Sequence, residues 1–291
     1  MWPTKSTHVI FSAVTDSAAL PPHRMQHTLS TPPDARVWFA LATLLIAAGV
    51  FTECSDWHPA LMLALNQAAS ELPDIFWSCI TMSGLGWAVL ILVSIMHRGD
   101  LGARIVLTAF IIGSIVTHAL KPLLSLPRPG EILPLNLIHF VGEPVINYYS
   151  MPSGHALAAL TMGTLWACLI RSQQLPRWLE SLSWITVIMI AFSRIAVGAH
   201  WPADVMVGSG LGLIVGWLAW RFPFAWPRPH FQAFPWLPVL VEGLGAWAAF
   251  TLDESMPFAF VWQGALGGLA SLSIMWRILS WRSFIALQNT A

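Results

Sequence analysis

Charged side chains are scarce in this sequence. Asp, Glu, Lys and Arg make up 10% of its 291 residues, against about a quarter in an ordinary soluble domain. They are evenly split, 14 basic to 14 acidic, so there is no basic excess of the kind that holds a nucleic acid. Cysteine is nearly absent as well. Cys54, Cys79 and Cys168 are too few for a disulfide framework. They read as small apolar side chains in buried positions, with a Cys54–Cys79 bridge near one membrane face as the lesser alternative. What fills the chain instead is apolar: 56% hydrophobic residues, 17 Trp and a mean hydropathy of +0.65. That balance excludes a soluble globular domain and places the chain in the membrane class.

A helix needs about 20 mostly apolar residues to cross roughly 30 Å of hydrocarbon. Eight segments qualify: 37–53, 75–96, 102–120, 153–171, 179–197, 202–220, 236–252 and 257–276. The expectation is an all-α integral membrane protein. A six-helix transmembrane core over 36–221 is followed by two additional C-terminal transmembrane helices over 222–291, which end in a short cytoplasmic C-terminus. Residues 1–35 are polar, without a basic start and an apolar core, and read as a cytoplasmic tail rather than a cleavable signal peptide.

Orientation follows from the cations. Lys5, Arg24, Arg36, Arg98, Arg104, Arg171, Arg177, Arg221, Arg228, Arg277 and Arg282 fall before the first segment, after the eighth, or in connections on the same side. Positive residues mark the cytoplasmic side. The three that remain, Lys121, Arg128 and Arg194, sit at the outer ends of the third and fifth segments. One such cation would be a snorkelling side chain. Three beside histidine-bearing turns read as a pocket for an anion.

The neighbours strengthen that reading. MPSGH (151–155) opens the fourth segment, and SRIAVGAHWPAD (193–204) links the fifth to the sixth. Lys121, Arg128, Ser153, His155, Arg194, His200 and Asp204 can therefore meet at one membrane surface. Arginine offers a planar fork that suits phosphate oxygens, and lysine a compact charge. Ser153 and Gly154 lie at a helix start, where free N–H groups and the dipole favour an anion. Pro202 suits a first helical turn, which puts His200 just ahead of it and Asp204 inside it. From there a carboxylate reaches back to hold one imidazole nitrogen and turn the other outward. Two His and one Asp also suit a metal, but three cations would repel one, so no metal and no other cofactor is expected. His58, His118 and His139 read as interfacial polar groups.

KPLLSLPRP (121–129) fits K-x6-R-P, MPSGH contains P-S-G-H, and the third stretch fits S-R-x5-H-x3-D. In this order they resemble the three-part signature of the type 2 phosphatidic acid phosphatase superfamily, which includes bacterial membrane lipid phosphatases. The resemblance covers about residues 36–221. It implies that His200 is a nucleophile forming a phosphohistidine, that Asp204 orients it, and that His155 is the acid and then the base. It also implies that Lys121, Arg128, Ser153, Gly154 and Arg194 bind the phosphoryl oxygens. The expected activity is metal-independent removal of phosphate from a lipid phosphate or diphosphate at the periplasmic face of a bacterial inner membrane. The substrate class is undecaprenyl diphosphate, phosphatidylglycerophosphate, phosphatidic acid or lipid A phosphate.

Four surrounding features complete the reading. Segment 130–150 is too short and proline-broken to span, and roofs the pocket; Tyr148 and Tyr149, the only tyrosines, serve as interfacial anchors or touch a headgroup. Residues 58–70 form a short interfacial helix. Gly208, Gly212 and Gly216 form a close-packing stripe, and Glu242 reads as a structural hydrogen bond or a displaced helix boundary. The close rival activity is a phosphotransferase to a lipid or sugar hydroxyl. A transporter or scaffold is remote, because transporters place charge near the midplane and here it clusters at helix ends.

Overall fold

The structure, a computed structural model, describes residues 35–96, 99–224, 236–253, 256–257 and 259–288. Apart from Ala35, the expected N-terminal tail lies outside the described residues, as do Arg98 and Arg228. Every regular element among the described residues is helical. In chain order these are α1 (Ala35–Glu53), α2 (His58–Ala69), α3 (Asp74–Met82), α4 (Gly86–Met96), α5 (Asp100–Leu124) and α6 (Pro129–Ile132). After a 3-10 turn (Leu135–Leu137) come α7 (Gly154–Ser172), α8 (Arg177–Ala196), α9 (Pro202–Arg221), α10 (Trp236–Thr251) and α11 (Ala259–Gln288).

The chain is a multi-pass membrane protein, in which five or six candidate spans are evident among the described residues against the eight expected. Among the described residues α1, α5, α8, α9 and α11 are long and apolar enough to cross, and the pair α3 and α4 makes a sixth span if taken as one. The α10 helix has only 16 residues. The α7 helix is the central one, buried along most of its length against α8 and α9. Its polar groups are satisfied inside the protein, Thr161 Oγ1 donating to Gly212 O and Thr164 Oγ1 to Leu160 O. The glycine stripe makes this closeness possible. A Cβ at Gly208 would stand 2.5 Å from Ser153 O, and one at Gly216 2.6 Å from Thr164 Cβ.

The segment expected to run unbroken over 75–96 is bent by 67° between α3 and α4. Ser83-Gly84-Leu85-Gly86 is a weak helix former, and tertiary contacts complete the break. Ser83 and Gly84 N–H groups turn back to Ile80 O and Thr81 O, and Trp262 Nε1 donates to Ser83 Oγ. Further along, α5 runs past its expected end to Leu124, with Lys121 in its last turn. Ser125 then stops it in the left-handed region at φ 45°, its N–H bonded to Lys121 O.

The helices α10 and α11 pack on α4 through a cluster that includes Trp87, Ile91, Ala249 and Leu266. Glu242 is fully buried there and makes the expected structural hydrogen bond, accepting from Ser94 Oγ at 3.1 Å. Its main partner is Arg277, 2.7 Å away. This corrects the sequence reading, which placed Arg277 beyond the last helix as a cytoplasmic flank. Arg277 lies inside α11, 4% exposed, and also donates to Ser94 O. A charge reads as the end of a span unless its counter-ion is known.

The cysteines are free. Cys168 is buried, but Cys79 is only partly so and Cys54 is exposed, so the buried-apolar reading holds for Cys168 alone. His58 departs from its reading too: it is buried, with its ring 4.6 Å from that of Trp201, and burial pulls its pKa below 6.5. His118 hydrogen-bonds Ser114 O, and His139 pairs with Asp74 at 2.8 Å.

Candidate active site

The stretch between α5 and α7 and the turn between α8 and α9 bring the chemistry together. The α8 helix ends at Ala196, and a tight turn through Gly198 (φ 76°) delivers His200 to the start of α9. The N–H groups of Ala199 and His200 both bond Arg194 O, so the turn is tied to the residue that opens it. From the other side, Asn66 of α2 donates to the carbonyls of Ile195 and Ala196, groups a helix end leaves without partners. The 130–150 segment covers this turn, with Ile138 and Phe140 against Gly198.

Asp204 lies in the first turn of α9 and is fully buried. Its Oδ2 accepts from Trp201 N at 2.9 Å and from Ser150 Oγ at 2.5 Å, and faces His200 Nδ1 at 3.2 Å. On the far side of the ring, His200 Nε2 is 3.3 Å from Arg128 NH1. Guanidinium can only donate. Nε2 therefore carries the lone pair, and the ring proton sits on Nδ1 toward Asp204. Burial, then the charges of Arg128, Arg194, Lys121 and His155, hold the His200 pKa well below the ordinary 6.5.

Arg128 is itself fixed on four sides. It donates from Nε to Asn147 Oδ1 at 2.9 Å and from NH1 to Ala199 O at 2.7 Å, and NH2 approaches Tyr149 O at 3.5 Å. Arg194 is 6% exposed and donates to Thr81 Oγ1 at 2.5 Å. Lys121 lies within electrostatic reach of Arg128, Arg194 and Asp204. Ser153 caps α7, its Oγ accepting from Ala156 N, while its own N–H bonds Asp204 O at 3.1 Å. That last bond joins the α7 and α9 starts directly. Gly154 and His155 follow in the first turn of α7, and His155 feels the charges of Arg194, Lys121 and Arg128. A Cβ on Gly84 would come within 3.3 Å of the His155 ring, so the α3–α4 break packs against that imidazole.

All eight candidate residues thus gather at one end of the bundle. Sequence reasoning missed Ser150, Asn147 and Thr81, which hold Asp204, Arg128 and Arg194 in place. Only Ser150, adjoining MPSGH, carried a positional hint. Tyr148 and Tyr149 are about half exposed; the Tyr148 hydroxyl bonds Glu131, which raises its pKa above 10. Among the described residues no three His, Cys, Asp or Glu side chains converge to hold a metal ion.

The profile of the PAP2 superfamily matches residues 102–228, from α5 past the end of α9. The chain is 35% identical over 92 residues to the undecaprenyl-diphosphatase of Sulfolobus acidocaldarius, a match covering 31% of this chain and 42% of that protein. It is 27% identical to the lipid A 4'-phosphatase of Bacteroides thetaiotaomicron, over 56% of this chain and 76% of the relative. It is 30% identical to the decaprenylphosphoryl-5-phosphoribose phosphatase of Mycobacterium tuberculosis, over 54% of this chain and 85% of that one. The chain belongs to the PAP2 superfamily. Membership makes it a relative of membrane lipid phosphatases, and the PAP2 profile contains every candidate site residue from Lys121 to Asp204. The α1–α4 and α10–α11 helices lie outside it.

Proposed function

We propose that this protein is a metal-independent phosphatase of a lipid phosphate or diphosphate, working through a phosphohistidine on His200. The observation that carries this reading is the pair of contacts on the His200 ring. Nδ1 faces Asp204, and Nε2 points its lone pair at a guanidinium that a phosphoryl oxygen can engage instead. Nε2 attacks phosphorus, an N–P bond forms, and the P–O bond to the leaving group breaks. His155, protonated, gives its proton to the departing oxygen. It then takes a proton from the water that attacks phosphorus, which releases inorganic phosphate and restores His200. Lys121, Arg128, Arg194, the Ser153 hydroxyl and the Gly154 N–H hold the equatorial oxygens. Phosphoryl transfer depends mainly on such positioning and charge stabilisation.

A lipid substrate is favoured by what lies beneath His155. A cavity of about 190 Å³ runs inward between α4, α5 and α7, past Leu85, Val89, Phe110, Gly113 and Leu157 to Leu165. Its apolar walls suit an acyl or prenyl tail, with the phosphate at the cations. The relatives are named for prenyl and for lipid A phosphates, which share a phosphate carried on a lipid. In the proposed topology eight helices cross, α7 and α10 included, with both termini cytoplasmic and the site periplasmic; Lys121, Arg128 and Arg194 then lie on the outer face.

Release of inorganic phosphate from undecaprenyl diphosphate, phosphatidylglycerophosphate, phosphatidic acid and lipid A phosphate tests the reading, in detergent with EDTA and no acceptor alcohol. Turnover of at least one is expected. Turnover only on adding an acceptor hydroxyl marks a phosphotransferase, and loss in EDTA contradicts the metal-free mechanism.

A further inference from the structure

The 3.3 Å contact between His200 Nε2 and Arg128 NH1 cannot by itself keep the two groups in register during the reaction. A phosphoryl group that engages both must insert between them and break that contact. The guanidinium then has to be aimed at the imidazole by other bonds, and a misplacement of about 1 Å can cost on the order of a hundredfold in rate.

Trp201 supplies such a bond. It adjoins His200, and its backbone N–H donates to Asp204 Oδ2 at 2.9 Å, closing the first turn of α9. Its indole Nε1 donates to Pro127 O at 2.8 Å, 74 residues away in the chain. Pro127 precedes Arg128, and the backbone is pinned on either side of it. Leu126 O accepts from Ser150 N and Arg128 N donates to Asn147 O, each at 3.0 Å. The indole thus joins the segment that carries the guanidinium to the turn that carries the nucleophile. Trp201 is buried, so a lost indole bond leaves Pro127 O without ready replacement.

A second side chain holds the indole. His58 opens α2 and is buried, with its ring tilted 46° to that of Trp201 across the 4.6 Å contact. Glu53, at the end of α1, stands behind it with Oε2 3.5 Å from His58 Nδ1. We propose that Trp201 is a positioning residue of the phosphatase reading above, coupling Arg128 to the His200–Asp204 turn through its indole N–H, with His58 holding the indole in place. The α1–α2 corner lies outside the residues 102–228 that the PAP2 profile matches, and by this route it acts on the reaction.

The test is steady-state phosphate release by the full chain in detergent, on a lipid phosphate that the wild type turns over, with thermal midpoints measured alongside. W201F keeps an aromatic ring against His58 but lacks the N–H. Its kcat should fall about ten- to a hundredfold, with KM within about twofold of the wild type. R128K keeps the charge and loses the fork. In that background W201F should cost less than about threefold, because the bridge then has no guanidinium to aim. H58A should lower kcat about tenfold, and H58F, which restores a ring against the indole, should recover most of the loss. W201F turnover within about twofold of the wild type, an equal loss from W201F in both backgrounds, or H58F as slow as H58A would each overturn the proposal. If W201F does not fold, H58A and H58F decide the matter, since both leave Trp201 in place. A wild type that releases phosphate from none of the lipids named above refutes the phosphatase reading itself, whereas an active wild type with an indifferent W201F refutes the positioning role alone.

Discussion

Three contacts on one carboxylate oxygen organise the chemistry at the scale of single residues. Asp204 Oδ2 takes the Trp201 N–H, the Ser150 hydroxyl and the His200 ring. Hydrogen bonds to a charged group contribute about 1.5–3 kcal/mol, so Ser150→Ala should lower kcat roughly ten- to a hundredfold. KM should change little, since Ser150 acts through Asp204; steady-state kinetics with a lipid phosphate in mixed micelles reads the split. In the proposed mechanism the His200 ring sets the acid limb. Its pKa is depressed, so the neutral nucleophile persists as pH falls through the ordinary 6.5 and is lost only below it. Rapid-quench measurement of phosphoenzyme formation should stay level from neutral pH to below 6.5, and an acid limb above that value contradicts the assignment.

The His200–Asp204 relation was legible because four residues across a helix start bring two side chains together without help from the rest of the fold. Asn147, Ser150 and Thr81 were not legible. They stand 19, 54 and 113 residues from the groups they hold, and only the folded bundle joins them.

At the scale of elements, the break between α3 and α4 packs against the candidate active site. Gly84 sits where a Cβ would meet Ile190 Cγ2 at 2.6 Å and the His155 ring at 3.3 Å. Overpacking of this kind costs about 1–3 kcal/mol. Gly84→Ala should lower the thermal midpoint in detergent and also reduce turnover, because the methyl group pushes on His155, the proton donor of the proposed mechanism; full turnover at a lowered midpoint would detach the break from catalysis. Hydropathy read 75–96 as a single span because both halves are apolar, and period alone does not register a bend. The same method read α7 as one more span and gave no sign that it is the central helix, since hydropathy does not tell a protein-sheathed surface from a lipid-facing one.

Across the whole molecule, the site lies at one end of the bundle, and a buried ion pair fastens α10 and α11 to α4. Removing one member of such a pair leaves a bare buried charge and costs about 3–5 kcal/mol. Glu242→Ala should therefore lower stability sharply in thermal unfolding, and Glu242→Leu with Arg277→Met should recover most of the loss. An unchanged midpoint in Glu242→Ala would mean the pair does not hold the helices. The general architecture, helical and membrane-embedded with Lys121, Arg128 and Arg194 gathered at one rim, was legible from scarcity of charge and from three short motifs. The partnership of Glu242 with Arg277 was not, because a lone charge in an apolar run looks like a boundary.

The most direct measurement is to quench the purified protein during turnover of a radiolabelled lipid phosphate and map the label by peptide. Wild type should carry an acid-labile phosphoryl group on His200, and His200→Ala should carry none while keeping its fold. Label on another residue, label surviving in His200→Ala, or full turnover by His200→Ala would contradict the phosphohistidine mechanism.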